Sequence, residues 1–183
     1  GHITFYNLDG DEIEKELVEI KWDAKAAEKG GYEHFMMKEI HEQPKAVKDT
    51  LNSVLKDGKL DLSAVELTND EIKKISQIYI VACGSAYHAG VVAQYVIEDL
   101  AKIPVRVELA SEFRYRKPLL DPDGLVVVIS QSGETADSLA ALRLAKDKGL
   151  KTLGIVNVVG SSKAREADNV FYTLAGPEIA VAT

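Results

Sequence analysis

Leu125–Ser130 reads LVVVIS, five consecutive apolar residues of which four are β-branched, closed by a serine. Such a run leaves no polar face for water. It is the pattern of a central strand covered on both sides, as in a parallel sheet. Four more strand-like runs surround it: IYIVAC (Ile78–Cys83), VRVELA (Val105–Ala110), KTLGIVN and NVFYTLA. Between them lie helix-like stretches: AYHAGVVAQYVIEDLA, the short SEFRYRK, ETADSLAALRLAKDKG and SSKAREAD. In the third of these, Leu139, Leu142 and Ala145 face one way, and Gly149 supplies a stop. Strands alternating with helices of this length predict an α/β fold. The expected architecture is a three-layer sandwich around a five-stranded parallel sheet, in the flavodoxin-like strand order 2-1-3-4-5.

The chain divides near residue 77. Residues 78–183 carry the strand–helix alternation, and residues 31–77 read as a mostly helical extension. Asp9-Gly10 is a hairpin signal that pairs Ile3–Leu8 with Glu12–Ile20. Pro44 suits the first turn of a helix and predicts a break near Gln43. Val47, Leu51, Val54 and Leu55 then recur on one helical face. LTNDEIKKIS reads as a short helix capped by Thr68 or Asn69, with Glu71 in its first turn.

A net charge of -7 argues against a nucleic-acid-binding face, which needs a basic stripe. The single cysteine, Cys83, allows no disulfide within the chain and fits a reducing, cytoplasmic setting. No apolar run approaches the roughly 20 residues of a membrane span. The start at Gly1-His2 and the end at Thr183 suggest a piece of a larger protein.

Ligands of parallel sheets bind at the carboxyl ends of strands, where the strand order reverses. In the order 2-1-3-4-5 that crevice lies between the first and third strands. Its two loops are Cys83-Gly84-Ser85-Ala86 and Ser130-Gln131-Ser132-Gly133-Glu134-Thr135. The second is crowded with hydroxyls just before a helix, where free N–H groups and the helix dipole attract an anion. Gly133 lets the backbone approach closely. The same residues also serve as ordinary helix caps, and Glu134 reads as a first-turn acid. Neither Lys nor Arg falls between Ser130 and Leu142, and no G-x-G-x-x-G follows the first strand. A phosphate monoester held by neutral donors therefore fits better than a nucleotide triphosphate or dinucleotide, with a flavodoxin-like nucleotide or flavin site as a further rival.

Other reactive residues have plainer readings. Cys83 lacks an activating partner and reads as buried. His88 reads as packing or surface. His34 and His41 share a face but complete no zinc site, so no metal or cofactor is expected. Gly160-Ser161-Ser162 looks like a second anion loop, but follows the fourth strand, away from the crevice, and reads as a cap. Arg114, Arg116 and Lys117 form a basic knot, either solvated or at a dimer contact. Met36 and Met37 read as filler.

Five segments in order, ACGSAYHAG, VELASEFRYRKPLL, SQSGETADSLAALRLAK, NVVGSSKAREAD and AGPEIAVAT, resemble the first sugar-isomerase (SIS) domain of the glutamine–fructose-6-phosphate aminotransferase, or glucosamine-6-phosphate synthase, family. GGYEHFMMKEIHEQPKAVKDTL resembles the segment before that domain, and residues 1–30 resemble the end of the glutaminase domain and its linker. The resemblance implies binding of fructose 6-phosphate or glucosamine 6-phosphate by Ser85, Ser130, Gln131, Ser132 and Thr135. Val181, Ala182 and Thr183 would line the sugar. It also implies a homodimer, with glutaminase and second SIS domains in the full-length protein. The family's glutaminase nucleophile is a mature N-terminal cysteine, and its ring-opening and proton-transfer groups belong to the second SIS domain and tail. None matches a residue of this chain, which is expected to bind without turnover. Ala86 stands where several members carry serine, and Thr183 also departs from their pattern. A sugar-phosphate-sensing SIS module of a transcription regulator is the alternative; it would bring a helix-turn-helix and a basic face, and the sequence shows neither.

Overall fold

The computed structural model describes residues 2–15 and 27–180. In chain order the elements are β1 (Phe5–Tyr6), β2 (Glu12–Ile13), α1 (Phe35–Ser53), β3 (Leu55–Lys56), β4 (Lys59–Leu60), α2 (Asn69–Lys74), β5 (Gln77–Ala82), α3 (Gly84–Ala101), β6 (Val105–Leu109), α4 (Ala110–Tyr115), β7 (Gly124–Ser130), α5 (Ala136–Asp147), β8 (Lys151–Val156), α6 (Ser162–Glu166) and β9 (Asn169–Tyr172).

The main sheet has five strands in the order β6-β5-β7-β8-β9, all parallel. That is the expected 2-1-3-4-5 order. The apolar strands are shared between two cores by the period-two alternation of their side chains. Tyr79, Val81, Val126 and Val128 point to one face, where they pack with Ala110 and Phe113 of α4 and Ala141, Leu142 and Ala145 of α5. Ile80, Leu125 and Val127 point to the other face, towards Ala93 and Ile97 of α3. Burying each large side chain contributes about 1.5–3 kcal/mol before entropic costs. Gly90 lets α3 lie close: a Cβ there would meet Ile80 Cγ2 at 2.8 Å.

The extension differs from expectation at Pro44. No break occurs at Gln43; α1 runs unbroken from Phe35 to Ser53 with Pro44 inside it. Pro44 removes the hydrogen bond to the Ile40 carbonyl. Both residues are on the exposed side of the helix, where water can take the freed carbonyl. The helical stripe also stops early. Leu55 belongs to β3, because Asp57 (φ 52°) and Gly58 (φ 72°) turn the chain into a hairpin with β4. Val47 and Leu51 are exposed rather than packed. The β1–β2 pair forms around Gly10 as expected, with Phe5 opposite Ile13; residues 16–20 of the expected second strand lie outside the described residues. Helix α2 has a full capping box, in which Thr68 Oγ1 accepts from Glu71 N and Glu71 accepts from Thr68 N. Among the described residues no helix is long and apolar enough to cross a membrane.

Candidate functional site

Strands β5 and β7 are neighbours, with Ala82 opposite Ile129, so the loops at their carboxyl ends emerge side by side. The β7–α5 loop is internally wired. The hydroxyl of Ser130 is buried and accepts from Gly133 N (3.1 Å), and it lies 3.4 Å from Thr135 Oγ1. Ser132 Oγ accepts from Glu134 N (3.2 Å). Gly133 sits at φ 69°, in the left-handed region, which explains the glycine. Thr135 takes the N-cap position of α5, yet its side chain makes no capping bond. Simple capping therefore does not account for that hydroxyl. Asp137, the acid in the first turn of α5, is paired with Arg114 at 2.7 Å.

A third loop completes the arrangement, and sequence reasoning misplaced it. Gly160-Ser161-Ser162 does not lie away from the crevice. It packs directly on the β7–α5 loop, because β8 is the neighbour of β7. Three hydrogen bonds join the two: Asn157 N to Gln131 O (3.0 Å), Ser162 N to Glu134 Oε1 (2.6 Å) and Lys163 N to Gly133 O (3.1 Å). A Cβ on Gly133 would fall 2.1 Å from Ser161 Oγ. Ser161 does not cap α6; its hydroxyl is buried with no hydrogen-bond partner. Glu134 likewise serves the start of α6, not its own helix. The Ser162 N–H holds its carboxyl below the usual range.

Lys163 is the residue the sequence reading missed. The β7–α5 loop holds no lysine, but the fold brings one from α6. Lys163 is fully buried, and its Nζ donates to Thr135 O (3.0 Å) and Ser130 Oγ (3.4 Å). Burial pushes its ammonium down to about 8, against the opposing pull of Glu134 and Cys83. The only sequence signal was the unusual placement of a lysine one residue into a short helix.

Ser85 is exposed near the start of α3, beside Gly84 at φ 56°. Cys83 takes the N-cap position of α3, half-buried, with its Sγ 3.8 Å from Ser138 Oγ of α5. It joins the two helix starts. His88 is exposed and lies edge-on to Tyr87. Val181, Ala182 and Thr183 lie outside the described residues. The segment leading to them is fastened by the extension: Glu39 Oε1 accepts from Ile179 N and Ala180 N (2.8 and 2.9 Å), and Thr50 Oγ1 from Leu174 N. Asn157 Nδ2 donates to Gly176 O (2.7 Å). A cavity of about 150 Å3 lies between α1 and this segment, bordered by Gln131, Glu39 and Glu178. Burial, with Glu39 nearby, raises the Glu178 carboxyl.

Another groove, of about 480 Å3, lies at the amino ends of the strands beside Gly124 and Lys151. Four of its charged lining residues are paired with one another, Lys151 with Glu71 and Lys146 with Asp168. The chemistry favours the carboxyl end. Arg116 and Arg114 are engaged by Glu108 and Asp137, so two of the three cations of the basic knot are paired within the chain. His41 stacks on Tyr32. Among the described residues no group of three or more His, Cys, Asp or Glu could hold a metal ion.

Residues 71–183 match the model of the SIS domain family. The chain is 58% identical, over 99% of its length, to the glutamine–fructose-6-phosphate aminotransferase (isomerizing) of Clostridium tetani, and 59% identical over the same share to that of Caldanaerobacter subterraneus subsp. tengcongensis. It spans 30% of the length of each of these relatives. Among solved structures, the C-terminal domain of glucosamine-fructose-6-phosphate aminotransferase from Francisella tularensis superposes with a TM-score of 0.80 at 47% identity, covering 85% of this chain and 44% of that one.

Proposed function

The chain belongs to the SIS domain family, and from that premise we propose that it is the phosphosugar-binding isomerase segment of a glutamine–fructose-6-phosphate aminotransferase. In this reading the whole protein converts fructose 6-phosphate and glutamine to glucosamine 6-phosphate and glutamate, in the cytoplasm. The phosphate of the sugar sits against the first turn of α5. Backbone N–H groups and the helix dipole attract it there, with the hydroxyls of Ser130, Ser132 and Thr135 and the amide of Gln131 as further donors. Ser85, from the neighbouring loop, faces the same crevice, and Val181, Ala182 and Thr183 continue the segment held by Glu39.

The observation that carries the reading is the uncapped start of α5. Its N-cap hydroxyl, on Thr135, makes no capping bond; it meets Ser130 Oγ at 3.4 Å, a long contact that a phosphate oxygen would replace. Turnover needs a base of matched pKa. Glu134, the acid of the loop, is held low by Ser162 N and is a poor base at neutral pH. The amine of Lys163 is buried behind the loop, directed at Thr135 O. Binding without turnover follows for this chain. The reading includes a homodimer and, in the full-length protein, glutaminase and second SIS domains. The exposed apolar stripe Val92, Tyr95, Val96 and Leu100 on α3 supports a face covered by such a partner.

The test is calorimetric titration of glucosamine 6-phosphate, with glucosamine and AMP as controls. Saturable, phosphate-dependent binding that weakens in Ser132→Ala and Thr135→Ala is expected. Binding of AMP in its place, or of neither phosphate ester, would sink the reading.

A further inference from the structure

We infer that Lys163 supplies the positive charge of the anion site: its buried ammonium, seated behind the β7–α5 loop, acts as a positioning residue that couples affinity for a sugar-phosphate dianion to its own protonation. The inference rests on the phosphosugar reading above and deepens it.

Three observations converge on one place. First, Lys163 has no exposed surface, although lysine is among the residues least often buried without a full partner. Its ammonium has three protons and two oxygen acceptors, Thr135 O at 3.0 Å and Ser130 Oγ at 3.4 Å, the latter long. Second, its compensation by charge is incomplete. The titratable groups facing it are Glu134, from the β7–α5 loop, and Cys83, from the end of β5. Glu134 is exposed, accepts from Ser162 N, and also faces Arg165 of α6. Third, Ser161 Oγ, in the same bracing loop and against Gly133, is buried without a partner. An undercompensated cation and an orphan hydroxyl each cost stability in the empty protein. Both lie behind the loop whose helix start is the candidate phosphate seat. A dianion on that seat would be attracted by Lys163 through a low-dielectric interior, where screening by salt is weak.

The coupling has a definite sign. Burial favours the neutral amine, so in the empty protein the proton leaves near neutral to mildly alkaline pH. A bound dianion favours the ammonium and holds the proton to higher pH. By linkage, affinity must fall as pH rises through the range in which free Lys163 deprotonates. A phosphate monoester has its second pKa near 6 and stays a dianion throughout that range.

The experiment uses fructose 6-phosphate, which has no amine of its own to titrate. Its affinity is measured by calorimetry from about pH 7 to about pH 9.5, for the wild-type chain and for Lys163→Met, a span in which the phosphate charge is constant. Wild type should weaken on the order of tenfold across the range, as expected for one nearby charge at intermediate dielectric. Lys163→Met should bind on the order of tenfold more weakly at pH 7, with a flat profile, while unfolding no more readily than wild type, since an apolar side chain replaces a poorly paired buried charge. Cys83 remains in the variant, so a profile due to the thiol would persist there. NMR of lysine labelled at Cε, made on the wild-type chain, reads the same coupling without any substitution. The Lys163 pKa should rise by about one unit on saturation, the equivalent of a tenfold change in affinity. An unchanged Lys163 titration on ligand binding, or a variant that binds within about twofold of wild type with the same pH profile, overturns the inference and leaves the phosphosugar site standing; twofold is well inside the tenfold effect at stake. If wild type binds no sugar phosphate at any pH, the phosphosugar reading falls and takes this inference with it.

Discussion

Gly133→Ala is the sharpest test of how the candidate loop is built, because two separate costs meet at one atom. The backbone of Gly133 is left-handed, at φ 69°. Alanine there costs about 1–2 kcal/mol from the crowding of its Cβ against the following carbonyl. The new methyl would also lie 2.1 Å from Ser161 Oγ and 2.5 Å from Ser161 Cβ. The bracing loop cannot yield freely, because Lys163 N and Ser162 N are bonded to Gly133 O and Glu134 Oε1. Overpacking of this kind costs a further ~1–3 kcal/mol. Urea unfolding should therefore show a loss of about 2–5 kcal/mol at unchanged slope. Ser161→Gly removes the clashing atoms, and since Ser161 makes no capping bond it should cost only a few tenths of a kcal/mol alone. In the double variant the steric share returns and the conformational share, about 1–2 kcal/mol, remains. The reasoning fails if Gly133→Ala unfolds within about 0.5 kcal/mol of wild type, the spread of neutral substitutions. It fails equally if Ser161→Gly rescues nothing, since the two loops would then not touch as described.

Further outcomes follow from the same contacts. Lys163→Met should be more stable than wild type by roughly 1–3 kcal/mol at pH 7. The folded protein holds Lys163 near 8, below its unfolded value of 10.5, so the penalty is full below about pH 8 and the gap should close as pH rises towards 10.5; paired unfolding curves measure it. A gap that widens with pH would contradict the burial argument. Thr68→Ala removes the hydroxyl of the α2 capping box and should cost about 1 kcal/mol of stability in urea. Glu39→Ala withdraws the acceptor of Ile179 N and Ala180 N. Amide exchange there should quicken by roughly tenfold, the equivalent of losing a modest hydrogen bond, with the β7 amides unchanged.

The sheet was legible because its strands are short and its central ones almost wholly apolar. A run such as Val126-Val127-Val128-Ile129 has few alternatives to a strand buried on both faces, and the glycine and proline punctuation between runs sets the order of elements. The extension was harder. Pro44 stays inside α1 because its side of the helix faces water, a fact of tertiary placement that no local pattern contains. The helical stripe through Leu55 concealed Asp57-Gly58, a hairpin signal as strong as Asp9-Gly10. At the candidate site, the adjacency of Ser85 and Ser130–Thr135 could be derived from strand order alone. Lys163 could not. It lies 33 positions from Ser130, and it becomes a neighbour only because β8 pairs with β7 and returns α6 to the same edge. Searching for a cation within the loop segment was a search along the chain, when the relevant distance runs across the sheet.

That placement bears on how an acidic protein would hold the dianion of the proposed function. The chain carries a net charge of -7, which taken alone repels a sugar phosphate. Salt limits the reach of exposed charges to about 8–10 Å, so the distant carboxylates matter little and the local field decides. Close to the seat, Asp137 is neutralised by Arg114 and Glu134 is drawn aside onto Ser162 N. Both acids of the region are thereby held by partners of their own. What remains facing the start of α5 is the helix dipole, the hydroxyls of Ser130 and Thr135, and one ammonium shielded from water. An exposed lysine in the same loop would lose most of its attraction to solvent and salt. Lys163 keeps its own by being buried, at a cost in stability that the Lys163→Met comparison measures directly. Stability gained and affinity lost in one substitution is the signature expected of a residue retained for binding; a lysine serving only to pack would lose both together.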